Sequence, residues 1–328
     1  MARTVSSGSF VPFADDLTLG RSLPLAPEIT IDEGIAAQYH AISGDRMRLP
    51  LSTPLTTAVT GEHRRLVNPG LVMQIAIGQS TVATRRVIAN LFYRGVKIHQ
   101  PVYVGDTLST TVTPIAARLA SSGERAKVLL RMLTTLGDGS TVIDFERVAL
   151  IPVKDRQSFH EAGEIGIADR ETPLHDFVPF VPASWTVEAY PSVTPTIREN
   201  VIDELREPLT DSLALVRLTG NHAAAHRDID AGVAGRRLVY GGHVVALAQA
   251  ALTRQTDPLT VIGWRSCDHL APTFEDELLQ VSIGLEDTLG LSAGAVQGYR
   301  VRASVKGSDG SSRDVLDWRP VVFTAPAS

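Results

Sequence analysis

Two histidines, an amide side chain and a glycine pair fall close together in the segment 219–243. It reads Thr219-Gly220-Asn221-His222-Ala223-Ala224-Ala225-His226, then Arg236-Arg237-Leu238-Val239-Tyr240-Gly241-Gly242-His243, just ahead of an apolar run. A histidine on a short polar loop can move a proton, and a glycine opening a helix can aim its backbone N–H at a carbonyl oxygen. Those are two of the parts needed to add water across an activated double bond, or to remove it. Each residue also has a plain structural use: His226 as a satisfied loop histidine, and Gly241-Gly242 as a place where a helix packs tightly on a sheet. His222 and His226 share the i, i+4 spacing of zinc ligands, with Asp228 nearby. The glutamate that makes such a motif specific is replaced by Ala223, so no metal is expected.

Stepping outward, the chain repeats itself. Arg64-Arg65-Leu66-Val67-Asn68-Pro69-Gly70 returns as Arg236-Arg237-Leu238-Val239-Tyr240-Gly241-Gly242. Ser43-Gly44-Asp45 returns as Thr219-Gly220-Asn221, and Asp138-Gly139-Ser140 as Asp309-Gly310-Ser311. The order is common and the offsets are 172, 176 and 171 positions, too long for a solenoid and suited to duplication of a domain. Two copies of one fold are expected, over 10–153 and 176–326, with a polar connector at 154–175.

Each copy shows the same pattern. In the first, Thr30 is positioned to cap a helix that carries Ile31, Ile35, Ala36, Tyr39 and Ile42 and stops at Gly44. The run Leu71-Val72-Met73-Gln74-Ile75-Ala76-Ile77 is apolar nearly all round and predicts a buried helix. Strands are expected at 88–98, 107–116, 126–136 and 142–153. The second copy predicts a buried helix at 244–252 and strands near 259–265, 278–283, 296–305 and 315–323. Tyr299, Val301, Ala303 and Val305 alternate with Arg300, Arg302 and Ser304, the period of a half-buried strand. A buried helix followed by antiparallel strands, twice over, is an α+β arrangement in which each sheet curls around its helix.

Composition narrows the class. The 328 residues are 44% hydrophobic, enough for a sizeable core in about two domains, and the net charge of −5 is spread along the chain. No basic stripe suggests nucleic acid. The single cysteine, Cys267, precludes an internal disulfide and fits a reducing compartment. Residues 1–8 lack the apolar core of a signal peptide, and no apolar run approaches a bilayer span. A cytoplasmic protein without membrane attachment is expected.

With these residues in view, the chain resembles the MaoC-like (R)-specific enoyl-CoA hydratases. Their Gly-Asp-x-Asn-Pro-x-His signature is matched by Gly220-Asn221-His222-Ala223-Ala224-Ala225-His226. The strings Ser52-Thr53-Pro54, Ala89-Asn90-Leu91-Phe92-Tyr93, Val102-Tyr103-Val104-Gly105-Asp106-Thr107-Leu108-Ser109-Thr110 and Gly235-Arg236-Arg237-Leu238-Val239-Tyr240-Gly241-Gly242-His243 are similar to those of duplicated members such as mesaconyl-CoA hydratases (β-methylmalyl-CoA dehydratases). The resemblance implies a tandem hotdog fold and hydration or dehydration of an enoyl-CoA thioester. The thioester would be of a short branched or dicarboxylic acid, with other acyl chains as the alternative. It implies no cofactor beyond the coenzyme A carried by the substrate, which would lie along the junction of the two units in a chain able to form homo-oligomers.

By the same resemblance His226 is the proton-transfer residue, and Asn221 stands where most members carry aspartate. Gly241 supplies the oxyanion donor, with Gly242, Tyr240 and His243 beside it on the substrate. An amide cannot exchange a proton at neutral pH, so either His226 acts alone or His243, Asp228 or His222 is a second acid. A dicarboxylic substrate needs a counter-charge, for which Arg236 and Arg265 are candidates. In the first copy Pro50 stands five residues after Asp45 where the histidine would be. Pro69, which has no N–H, occupies the donor position, so that copy is expected to be degenerate. A binding protein without catalysis is the alternative from another class.

Overall fold

The computed structural model describes residues 11–166, 172–191, 200–307 and 310–326. Asp309 of the third repeated string, residues 1–8, position 10 at the start of the first copy, part of the connector and residues 192–199 of the second copy lie outside these. In chain order the elements of the first half are β1 (Ile29–Thr30), α1 (Glu33–Ser43), α2 (Arg48–Leu51), α3 (Thr53–Thr60), α4 (Pro69–Gln79), β2 (Ala89–Ile98), β3 (Thr107–Leu119), β4 (Arg125–Thr135) and β5 (Thr141–Pro152). The second half has β6 (Val201–Pro208), α5 (Ser212–Leu218), α6 (Gly241–Thr256), β7 (Thr260–His269), β8 (Leu278–Leu291), β9 (Gly294–Lys306) and β10 (Ser312–Thr324).

The strands form one antiparallel sheet in the order β1-β3-β4-β5-β2-β7-β10-β9-β8-β6. Each half, followed from its outer edge to the centre, has the same connectivity, so the duplication is visible in the topology. The halves join where β2 pairs with β7, from Phe92 opposite Asp268 to Lys97 opposite Gly263. The central helices α4 and α6 lie in the cup of the sheet. Every residue of α4 is buried, which is why its sequence has no polar side. This is the α+β tandem hotdog architecture, with antiparallel strands wrapped around central helices. No helix among the described residues is long and apolar enough to cross a membrane.

Local chemistry adjusts several boundaries. Helix α1 is capped by Asp32, whose carboxylate accepts from Ile35 N–H at 2.7 Å, and not by Thr30, whose hydroxyl is engaged with that of Thr107 on the neighbouring strand. The helix ends at Gly44 in the left-handed region at φ 62°, as its composition predicts. On β9 the side chains of Tyr299, Val301, Ala303 and Val305 are buried, in the expected alternation. Strand β7 runs on to His269, past the expected end near residue 265. Arg265 is the extra residue of a β-bulge, skipped between the pairs Pro320–Trp264 and Arg319–Ser266, and pairing resumes beyond it.

The two halves interlock through polar side chains. Asp45, 3% exposed, accepts from Asn68 Nδ2 at 2.8 Å, Gln249 Nε2 at 2.7 Å, Thr253 Oγ1 at 2.7 Å and Met47 N–H at 2.9 Å. Gln249 and Thr253 belong to α6, so the first copy's motif acid clamps the second copy's central helix. A buried carboxylate satisfied by four donors is far costlier to remove than an exposed one. Asp45→Ala should lower unfolding stability by about 3 kcal/mol in denaturant titrations. A change below about 1 kcal/mol would count against the clamp.

Candidate active site

The 219–243 segment is placed against the first half at close range. Gly78, near the end of α4, lets the Thr219 carbonyl approach so tightly that a Cβ there would lie 1.8 Å from its oxygen. Two further bonds fix the loop: His222 N–H to Thr81 Oγ1 at 3.1 Å and Ala224 N–H to the Arg85 carbonyl at 2.9 Å. Asn221 is buried, and its Oδ1 accepts from Ala223 N–H at 2.9 Å, which turns the chain into the short 3-10 helix Ala224–His226. The loop that bears the histidine is therefore positioned by both halves.

His226 faces a cavity of about 380 Å³, walled by α6 and the loop of the second half and by strands β2 and β5 of the first. Its Nδ1 lies 3.2 Å from the Leu238 carbonyl oxygen. A carbonyl only accepts, so Nδ1 carries the proton and Nε2 keeps its lone pair free. Desolvation by the surrounding protein pushes the imidazole down to about 4. The Leu238 hydrogen bond opposes this shift and the Arg227 charge adds to it. His226 is thus neutral at pH 7 and ready to accept a proton.

Gly241 and Gly242 open α6 and line the same cavity, as do Tyr240 and Asn221. First-turn N–H groups of a helix have no intrahelical acceptor and carry the positive end of its dipole. Tyr240 caps the helix, its N–H donating to Ser212 Oγ at 2.8 Å, and its ring lies 5.2 Å from that of His226. Burial raises its phenol pKa well above the ordinary value. The Asn221 amide is near enough to temper that rise, without a hydrogen bond of ordinary geometry. A neutral imidazole, a helix N-terminus and an amide therefore border one space.

Other expected residues lie elsewhere. His243 is buried behind the first turn of α6 and does not line the cavity; burial lowers it to about 4, with Asp211 opposing. His222 and Asp228 are exposed and outside it. Arg236 stacks on Phe274, its guanidinium 3.8 Å from the ring centroid, and pairs with Asp276 at the surface. Arg265 pairs with Asp287 at 2.6 Å and Glu286 at 3.8 Å. Neither arginine reaches the cavity, because each is drawn to carboxylates outside it. Cys267 is a buried free thiol on β7, opposite Tyr93 of β2.

The cavity also holds residues that are not among the expected site residues. His269, at the end of β7, sits against Gly241: a Cβ on that glycine would be 2.6 Å from its Cε1. Burial lowers His269 to about 4, with His226 contributing. From the first half come Asn90, Tyr93 and Arg147. A usable signal existed for Arg147. It shares the inward phase of β5 with Phe145, Ala149 and Ile151, all at most 1% exposed, a core position where an arginine is anomalous. His269 was concealed by the bulge, which breaks the alternation just before it.

No family model matches the chain. It is 28% identical over 287 residues to a β-methylmalyl-CoA dehydratase of Chloroflexus aurantiacus, covering 81% of this chain and 80% of that one. To a mesaconyl-CoA hydratase of Cereibacter sphaeroides it is 23% identical over 279 residues, covering 82% and 81%. Among solved structures, a conserved hypothetical protein of Mycobacterium tuberculosis with a double hotdog fold superposes with a TM-score of 0.84 at 34% identity, covering 95% of this chain and 98% of that one. A putative MaoC domain protein dehydratase from Chloroflexus aurantiacus superposes at 0.85 with 24% identity, covering 98% and 100%.

Proposed function

The chain belongs to the MaoC-like double-hotdog family, and on that footing we propose that it hydrates, reversibly, a short branched or dicarboxylic 2-enoyl-CoA thioester of the mesaconyl-CoA type. It is a hydro-lyase acting on acyl-CoA thioesters. The observation that supports the hydratase reading is a neutral imidazole and the start of α6 bordering one cavity. In this reading the thioester oxygen lies at the Gly241 and Gly242 N–H groups, which stabilise the enolate as charge moves onto it. His226 Nε2 takes a proton from water while the water oxygen bonds to the β-carbon. The resulting imidazolium returns that proton to the α-carbon, and the Asn221 amide orients the water. Dehydration is the reverse. His269, packed against Gly241, helps fix the thioester carbonyl in this reading.

The first unit, 10–153, is read as catalytically degenerate. Pro69 begins α4 without an N–H, and Asp45 is fully engaged in the clamp on α6. It contributes cavity wall, so each chain has one active site. The buried, unpaired Cys267 fits a cytoplasmic location.

The test is a panel of enoyl-CoA thioesters, mesaconyl-CoA and crotonyl-CoA included, followed by loss of the conjugated enoyl absorbance. Turnover supports the reading, and flat traces throughout would refute it in favour of a binding protein. A pH profile adds a second check. The base must be unprotonated, and the imidazole of His226 is lowered to about 4, so kcat/KM should stay level as pH falls from 7.5 to about 5.5. An acid limb centred near 6.5, the ordinary imidazole value, would show the base in a solvated setting. Fold stability behaves differently. The unfolded chain protonates these histidines from about pH 6.5 while the folded chain resists until about 4, so stability falls across that window as pH drops.

A further inference from the structure

Arg147 is a buried cation, 3% exposed, in the wall of an otherwise largely apolar cavity. Its Nη2 donates to Thr84 Oγ1 at 2.9 Å, while its Nε has no acceptor, and it pairs with no carboxylate among the described residues. The adjacent Glu146 points to the other side of the strand, to Arg131 at 3.0 Å. An unpaired buried charge is expensive, so a protein that retains one has a ligand of opposite charge to meet.

The groups around it fit the same ligand. Tyr93, directly opposite Arg147 on β2, is raised to about 12 by burial, with the Arg147 charge restraining the rise. The Tyr240 hydroxyl and both polar atoms of the Asn90 amide are buried in the cavity without hydrogen-bond partners. Guanidinium, phenol and amide donors therefore converge on one end of the acyl space. That end is close to the reacting centre, because the Tyr93 ring lies 5.9 Å from His269, which touches Gly241.

We propose that Arg147 is the specificity-determining counter-ion for a carboxylate carried by the acyl chain, a short step from the double bond, with Tyr93, Tyr240 and Asn90 completing its hydrogen bonds. This rests on the hydratase reading above. It assigns to Arg147 the role for which Arg236 and Arg265 were candidates, and it makes a short enoyl thioester with a free carboxylate the preferred substrate. A neutral acyl chain of the same length leaves the guanidinium and its companions unmatched.

The experiment compares kcat/KM for mesaconyl-CoA and crotonyl-CoA in the wild-type protein, Arg147→Met and Arg147→Lys. The wild type should prefer the charged substrate. Arg147→Met should lower the mesaconyl-to-crotonyl ratio by about 100-fold, and Arg147→Lys should restore part of it. Parallel loss on both substrates would make Arg147 a structural residue and overturn the proposal. A wild type that hydrates crotonyl-CoA but not mesaconyl-CoA would overturn it while leaving the hydratase reading standing, and one that hydrates neither would remove both. Should the variants fail to fold, calorimetry of the wild type with succinyl-CoA and butyryl-CoA decides. Markedly tighter succinyl-CoA binding supports the counter-ion, and equal affinities overturn it.

Discussion

Replacing His226 with alanine should lower kcat/KM for the preferred enoyl-CoA by about 1,000-fold or more, because in the proposed mechanism one imidazole carries both proton transfers. His269 also lines the cavity but packs on Gly241, which in the proposed reading is the carbonyl end of the substrate. The thermal midpoint should move little, since the imidazole contributes one hydrogen bond to the fold, at 3.2 Å to the Leu238 carbonyl, worth about 1 kcal/mol. His226→Gln, which preserves bulk and polarity, should be as inactive as alanine. Steady-state rates beside thermal melts separate the possibilities: a His226→Ala protein with near-normal turnover would reduce this histidine to a structural part.

The second large effect is a substitution that the chain has already made in its other half. Proline begins α4 at Pro69, where glycine begins α6 at Gly241. Gly241→Pro imports that residue at the first helical position, where proline is well tolerated, after a Tyr240 whose ψ of 122° suits a following proline. It removes one N–H from the cavity and should cost about 100- to 1,000-fold in kcat. Gly241→Ala is the control. It keeps the N–H and adds only a methyl group pressed on His269, so its loss should be clearly smaller. Equal losses for alanine and proline would assign the effect to crowding and not to the donor.

Much of this architecture is legible in the sequence because duplication writes each element twice. The apolar run at 71–77 has no polar phase, and only a helix enclosed on all sides tolerates that. The paired strings around Arg64 and Arg236 place both helix starts. What escaped is long-range or irregular. The clamp of Asp45 on Gln249 and Thr253 spans about 200 residues, and no local pattern announces it. The Arg265 bulge shifts the phase of β7 and hides His269. Strand β6 is a sheet edge with Ile202 and Leu205 exposed, so it lacks the alternation that marks its partners. Arg236 adjoins the 219–243 string in sequence and Arg265 lies on a strand of the same half, but their carboxylate partners hold both outside the cavity. Arg147, the buried arginine of the cavity wall, comes from the other half.

In the proposed division of labour, a degenerate unit lines a cavity whose proton chemistry resides in the other unit, and a single imidazole would stand on one face of the bound enoyl group. The stereochemistry of hydration reports this directly. With an enoyl-CoA that turns over, reaction in D2O followed by NMR of the product fixes the relative configuration at the α- and β-carbons. One imidazole serving both atoms predicts that deuterium and hydroxyl are added to the same face. Addition to opposite faces would require a second proton donor across the cavity and would contradict the account.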